Sequence, residues 1–228
     1  MKNKSYIWIS FIVLVFGIYA IPKIVTRIKN GTIVQNDRLD SSTQSENPES
    51  TLYTVGNIPA FSLTNQYNAT INQNSYAGKV YVVEFFFSNC TTICPIMNRN
   101  MVELQNHFKN DPHFGIASIS INPKTDTPEI LKKHALDLKV TNPNWNFLTG
   151  DQDYIINLSN KGFNLFAALN PKIAQGFEHS GLFALVDKKG KIRCRRDQFG
   201  NPIAYYDGLE KAGIEMLKTD IELLLNEK

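Results

Sequence analysis

Hydrophobic and polar positions between residues 52 and 228 follow two periods, one typical of strands and the other of helices. Val80–Phe87 is almost wholly apolar and rich in β-branched and aromatic residues, which predicts a buried strand. Apolar residues then recur at helical spacing, namely Met97, Met101, Leu104 and Phe108. They predict a helix over residues 95–108 with one apolar face.

The alternation of strands and helices continues to the end of the chain. Further strands are predicted at 58–63, 70–72, 114–121, 145–148, 180–186 and 191–196. Further helices are predicted from Pro128, from Asp151 to about residue 161, and from about 209 to 226. This order predicts one α/β domain over 53–228, with a central mixed sheet flanked by helices.

The first 52 residues have a different pattern. Residues 5–22 carry no charge and are overwhelmingly apolar, which is just long enough to cross a bilayer. We expect an uncleaved membrane anchor within residues 1–29, because the run is long for a cleavable signal peptide and no A-x-A site follows it. Residues 30–52 are polar and low in aromatics, which predicts a flexible tether.

Composition and charge exclude few functions. The chain is 43% hydrophobic with a net charge of +3, too small a charge to indicate nucleic acid as a partner. Arg193, Arg195 and Arg196 form a short basic run, for which a solvated strand or turn is expected.

The strongest candidate for chemistry is the pair Cys90 and Cys94, which directly follows the apolar strand. Pro95 favours a helix start, so Cys94 is expected at the helix N-cap, where the dipole favours a thiolate. A dithiol at a strand-to-helix junction is typical of thioredoxin-like folds. The pair can exchange disulfides or hold a soft metal ion. The three intervening residues make a wider loop than CxxC, which suits a metal ion better.

His179, which opens the predicted strand 180–186, is a candidate for a third ligand. In a thioredoxin-like fold the start of that strand lies close to the dithiol loop. The alternative is a loop histidine that hydrogen-bonds to the backbone. The other histidines, His107, His113 and His134, are expected to be surface or hydrogen-bonded residues.

Four further residues carry chemically active side chains. Cys194 has no neighbouring cysteine in the sequence and is expected to be a small buried hydrophobe, and Met97 and Met101 are expected in the core rather than as ligands. Glu84 is a carboxylate inside the apolar strand, six residues before Cys90. It is either a proton relay to the thiols, through a raised pKa, or a position that reaches solvent.

Several segments together resemble the Sco/SenC family of copper-binding, membrane-anchored assembly factors. They are Phe86–Pro95 (FFSNCTTICP), Ser118–Pro123 (SISINP), Asp126–Glu129 (DTPE), Phe147–Gly150 (FLTG) and His179–Ser180 leading into Phe183–Asp187 (FALVD). The resemblance implies a thioredoxin-like fold, copper bound by Cys90, Cys94 and His179, and help in maturing the dinuclear copper centre of cytochrome c oxidase. Two positions depart from the family pattern, Asn122 and Glu178, where the family commonly has Asp.

The leading hypothesis is therefore a copper metallochaperone in the bacterial inner membrane, with its domain in the periplasm because a cycling dithiol belongs outside the reducing cytosol. Expected partners are the copper-centre subunit of the oxidase, a copper donor and a thiol–disulfide reductant. The alternative is a tethered thiol–disulfide oxidoreductase without a metal role. A peroxiredoxin-type peroxidase ranks last, because no PxxxTxxC pattern ends at Cys90.

Overall fold

A computed structural model describes residues 14, 16–19, 21–22, 52–172 and 176–227. The chain divides into two units, Met1–Asn47 and Pro48–Lys228. Most of the predicted anchor and tether lies outside the described residues, and the few described positions of the anchor are helical. Among the residues described, no helix has both the length and the apolar character needed to cross a membrane.

The described part of the second unit is built on one mixed sheet, in the order β1-β10-β9-β4-β5-β6-β2-β3, with β11 added beside β9. β4, β5 and β6 run parallel and the other pairs are antiparallel. The strands are β1 Tyr53–Asn57, β2 Ser62–Asn65, β3 Thr70–Asn72, β4 Val80–Phe86, β5 Phe114–Ser120, β6 Trp145–Thr149, β7 Ala167–Leu169, β8 Phe177–His179, β9 Leu182–Val186, β10 Lys191–Cys194 and β11 Tyr206–Asp207. β7 and β8 form a separate two-stranded sheet.

Helices connect and flank the strands as predicted. They are α1 Cys94–His107, α2 Pro128–Asp137, α3 Gln152–Asn157 and α4 Lys211–Asn226, with a short 3₁₀ helix at Gln73–Tyr76. The caps explain two of the starts: the Thr127 side chain accepts a hydrogen bond from the Ile130 amide, and Asp151 accepts one from the Tyr154 amide at 2.8 Å. α3 ends earlier than expected and continues as a π-helical turn over Leu158–Gly162. The α/β prediction with a mixed, helix-flanked sheet is confirmed.

Four strands were not predicted: β1, β7, β8 and β11. Each has five residues or fewer, and two of them pair with strands distant in sequence: β1 pairs with β10 and β11 with β9, whereas β7 and β8 pair with each other as a hairpin. A three-residue strand has too few positions to show a period of two, so its sequence carries no clear signal. β8 matters most, because it carries His179.

The core lies on both faces of β4 and β5, whose residues are all buried. Met97 and Met101 are fully buried within it, as predicted. The expectation of a solvated basic run is wrong for Arg193, which is 5% exposed and donates to Asp187 at 2.9 Å and to the Leu52 carbonyl at 3.0 Å. An Arg can be buried here because carboxylate and carbonyl acceptors surround its guanidinium group.

Candidate metal centre

The two cysteines lie where the central strand β4 gives way to α1. β4 ends at Phe86, a turn over residues 87–90 follows, and its closing bond joins the Cys90 amide to the Phe87 carbonyl at 3.3 Å. α1 begins at Cys94 itself, with Pro95 in its first turn. Cys94 is therefore the first helical residue rather than the N-cap, one position from the prediction. Both thiols are buried and neither is in a disulfide.

His179 reaches the dithiol from the β7–β8 hairpin. Its Nε2 lies 3.1 Å from Cys94 Sγ, and its Nδ1 lies 3.0 Å from the carbonyl oxygen of Ser180. Because a carbonyl only accepts, Nδ1 is the donor, and in the neutral ring the lone pair is then on Nε2, facing the sulfurs. The ring also packs edge-on against Phe87, with centroids 5.8 Å apart.

The three side chains named by the sequence analysis thus converge. Cys90, Cys94 and His179 each offer one ligand atom, and all three atoms lie within 4.8 Å of one another. Two sulfurs and an imidazole nitrogen form a soft to borderline donor set, which suits Cu(I) or Zn²⁺ and not the hard cations that prefer oxygen. Such a buried group could hold one ion with little movement.

The two thiols have opposite protonation tendencies. Burial by itself raises the pKa of Cys90, but contacts with His179, Thr92 and the backbone and thiol of Cys94 outweigh it and lower the pKa to about 5. Burial raises the pKa of Cys94 well above its usual range, and the neighbouring Cys90 raises it further. The pair shares one negative charge near neutral pH, because a second one beside it is costly.

This corrects the expectation that the helix N-terminus favours a thiolate at Cys94. Cys94 is 1% exposed, against 8% for Cys90, and its side chain is turned into the core. Loss of solvation there outweighs the helix dipole. The loop residue Thr92, whose Oγ1 lies 3.5 Å from Cys90 Sγ, was missed by sequence reasoning. A hydroxyl inside the CxxxC loop is a signal that could have indicated it.

The histidines outside this group behave as expected. His107 pairs with Glu222 at 2.8 Å on an exposed surface. His134 lies 3.4 Å from the Asn98 side chain and stacks on Phe86. Among the described residues, the only group of three or more potential metal ligands is the one formed by the two cysteines and His179. Cys194 is fully buried in β10, as predicted for a small hydrophobe.

Glu84 is fully buried in the middle of β4, so the alternative of a solvent-reaching position is wrong. Its Oε1 accepts a hydrogen bond from the Ser118 hydroxyl at 2.6 Å, and Ser118 in turn accepts from the Trp145 ring nitrogen at 3.0 Å. No described residue bonds its Oε2. Burial raises the pKa of Glu84 to about 7, although Ser118 and His179 act against this rise. A proton-relay role stays a prediction.

The two departures from the family pattern, Asn122 and Glu178, lie just after β5 and in β8. Asn122 is buried, and its backbone carbonyl accepts from the amides of Thr125 and Asp126. Glu178 is partly buried in β8, opposite Ala168. No hydrogen bond joins either side chain to the three candidate ligands among the described residues.

Comparison with solved structures gives the same fold. The chain is 30% identical to a SCO1/SenC family lipoprotein from Bacillus anthracis, with a TM-score of 0.64, covering 74% of this chain and 95% of that one. It is 29% identical to BsSco, a member of the Sco family of cytochrome c oxidase assembly proteins, with a TM-score of 0.64 and coverage of 77% and 97%.

A third structure, Bradyrhizobium japonicum ScoI with copper bound, is 22% identical, with a TM-score of 0.59 and coverage of 74% and 99%. At that identity it supports the thioredoxin-like Sco fold alone. The family model described as SCO1/SenC matches residues 53–212, which include both cysteines, His179 and the whole sheet. The chain therefore belongs to the SCO1/SenC family.

Proposed function

We propose that this chain binds copper through Cys90, Cys94 and His179 and assists assembly of the dinuclear copper centre of cytochrome c oxidase. The observation that carries the proposal is the convergence of two thiol sulfurs and one imidazole nitrogen within 4.8 Å. Thiolates are soft ligands that select Cu(I), and an imidazole nitrogen also tolerates Cu(II). The family includes a cytochrome c oxidase assembly protein and a protein solved with copper bound.

The protonation of the site suits the uptake of a monovalent cation. One sulfur is already anionic near neutral pH, because the pKa of Cys90 is lowered to about 5. Cys94 keeps its proton until a metal competes for the sulfur, and binding then releases that proton. The His179 ring, held at Nδ1 by the Ser180 carbonyl, presents Nε2 to the same space. Copper is the cargo in this scheme, to be passed to the oxidase subunit that carries the copper centre.

Cu(I) affinity of the reduced protein, measured against a competing chelator, tests the ligand set. We expect Cys90→Ser and Cys94→Ser to abolish tight binding. His179→Ala should weaken it by more than about 100-fold, because changes outside the ligand set alone cost about 10–100-fold. Cys194→Ser is the control and should bind as the wild type. Unchanged binding by His179→Ala would remove His179 from the ligand set.

A second candidate function is thiol–disulfide exchange, which the low pKa of Cys90 favours. The Cys90 thiolate would attack a substrate disulfide and form a mixed disulfide, and one substrate thiolate would leave. Cys94 would then attack Cys90 Sγ, releasing the second substrate thiol and leaving a Cys90–Cys94 disulfide that an external dithiol must reduce. Absence of tight Cu(I) binding by the wild type, together with turnover of a protein disulfide, would favour this function.

The location follows from the chemistry and the N-terminal pattern. We infer an anchor at residues 5–22, a tether over 30–52, and a domain on the periplasmic side of a bacterial inner membrane, since thiols that cycle with a disulfide belong in an oxidising compartment. The Bacillus anthracis relative is a lipoprotein, which is consistent with attachment to a membrane. A topology reporter fused after Lys228 should be active outside the cytoplasm, and a cytoplasmic signal would overturn this placement.

A further inference from the structure

A buried carboxylate, Asp126, is bonded to the loop that carries Cys90. It is 0% exposed. Its Oδ2 accepts from the Ser88 amide at 3.0 Å and from the Ser120 hydroxyl at 2.5 Å, and its Oδ1 accepts from the Ser88 hydroxyl. Three donors compensate for the loss of water around this charge, as a buried carboxylate requires. Two of the three come from one residue of the thiol loop, 38 positions away in sequence.

The position of Ser88 makes these bonds relevant to the metal site. Cys94 and His179 belong to regular elements, α1 and β8, whereas Cys90 lies in the irregular segment between β4 and α1. The turn over residues 87–90 fixes where Cys90 Sγ lies. Ser88 is the second residue of that turn. The Asp126 carboxylate accepts one hydrogen bond from the Ser88 amide and another from the Ser88 hydroxyl.

Asp126 is in turn attached to the rigid part of the domain. Its backbone amide donates to the Asn122 carbonyl at 2.9 Å. Ser120, which donates the third of these hydrogen bonds, is the last residue of β5 and also accepts from the Asn122 amide at 3.1 Å. Thr127, the next residue, caps α2. The carboxylate therefore connects the thiol loop to the end of the sheet and to the start of α2.

We propose that Asp126 is a positioning residue, which holds the Cys90 turn in the geometry that brings its sulfur to Cys94 and His179. This inference rests on the proposed copper site. Without the carboxylate, the turn would have to be ordered when the ion binds, and that ordering would reduce the affinity. Asp126→Asn is the sharpest variant, because it keeps the shape but replaces one acceptor oxygen with an NH₂ donor that faces other donors.

Cu(I) affinity of the full chain, reduced and measured against a competing chelator, provides the first test. We expect Asp126→Asn to bind one Cu(I) about 10-fold more weakly than the wild type. Asp220→Asn is the matched control. Asp220 is 1% exposed and likewise accepts three hydrogen bonds, two from the Arg195 side chain and one from the Tyr206 hydroxyl. Both variants should melt at lower temperature, but only Asp126→Asn should lose affinity. Equal affinity in wild type and Asp126→Asn would overturn the proposal.

Two serine variants keep the test decisive even where Asp126→Asn does not fold. Ser88→Ala removes one bond from the loop and should weaken Cu(I) binding, whereas Ser120→Ala leaves both Ser88 bonds in place and should weaken it less. The double variant Ser88→Ala/Asp126→Asn should bind no more weakly than Asp126→Asn alone, since both act through one contact. Two results would contradict a role for the Asp126–Ser88 contact. One is a loss of Cu(I) affinity in the double variant that equals the sum of the single losses, and the other is a larger loss in Ser120→Ala than in Ser88→Ala.

Amide hydrogen exchange in the metal-free chain separates this inference from the proposed function. Asp126→Asn should exchange faster than the wild type at residues 88–94, and Asp220→Asn should not. If the wild type binds no Cu(I), the proposed function fails, and exchange still decides whether Asp126 orders the turn. Unchanged exchange at residues 88–94 in Asp126→Asn would overturn the positioning role whatever the copper result.

Discussion

His179 Nε2 lies 3.1 Å from Cys94 Sγ, although 85 positions separate the two residues in the chain. Two short antiparallel strands produce this contact: β8 ends at His179, and its partner residue on β7 is Ala167. The Ser180 carbonyl fixes the ring by accepting from Nδ1. A ring nitrogen that faces two thiol sulfurs is an arrangement that suits a soft cation.

The lowered pKa of Cys90 predicts an unusual pH profile for thiol reactivity. Only the thiolate reacts with iodoacetamide, so the alkylation rate of the reduced, metal-free protein should rise through a pKa of about 5 and then level off. Mass spectrometry should find the label on Cys90, because the raised pKa of Cys94 keeps that thiol protonated. Cys90→Ser should lack this phase. A rate that keeps rising up to pH 9 would contradict the assignment.

The buried Glu84 predicts a pH-dependent stability. Its folded-state pKa of about 7 exceeds the ordinary value of 4.5, so the folded protein holds a proton that the unfolded chain has lost between these values. The resulting stabilisation is fully present below pH 4.5 and is lost as the pH rises through about 7. The loss amounts to roughly 3 kcal/mol.

Urea unfolding of wild type and Glu84→Gln between pH 4 and 8 measures this effect. The stability of the wild type relative to the variant should fall over that interval, because the amide does not titrate. A difference that stays constant across the interval would show that Glu84 does not change its protonation there.

Met101 lies on the buried face of α1 and is 0% exposed, within the hydrophobic core. Met101→Ala should lower the free energy of unfolding by about 2–5 kcal/mol, through lost burial and the cavity left behind. Cu(I) stoichiometry and affinity should not change. Leu136→Ala, at a site that is 70% exposed, should alter stability by less than about 0.5 kcal/mol. Loss of copper in Met101→Ala with the fold intact would point to a thioether ligand.

The buried Arg193 in β10 is expected to contribute strongly to the free energy of unfolding. Arg193→Met removes a buried partner of Asp187, whose side chain is only 7% exposed, and should cost about 3–5 kcal/mol because the buried carboxylate loses its cationic partner. Arg196→Met is the matched control. Arg196 is exposed and lies 4.7 Å from the centre of the Tyr53 ring, a contact of about 0.5–1 kcal/mol. Chemical denaturation of both variants measures the difference, and equal losses would contradict it.

The sequence by itself determined the elements with strong local signals. The run Val80–Phe87 predicted its strand, because a strand that is buried on both faces needs apolar residues at nearly every position. Thr127 and Asp151 marked helix starts because a capping side chain is a local requirement. The spacing of Cys90 and Cys94 placed both sulfurs at the strand-to-helix junction, since a short loop cannot carry them far apart.

Only the tertiary structure decided the rest, because those outcomes depend on contacts between distant segments. The short β7–β8 pair brings His179 to the sulfurs, and three residues are too few to show a strand period. Burial raises the pKa of both thiols, but contacts with His179 and Thr92 lower that of Cys90 below its usual range, and neither burial nor these contacts can be read from a spacing of four. The hydrogen bonds that Ser88 donates to Asp126 likewise exist only because the parallel strands β4 and β5 end side by side.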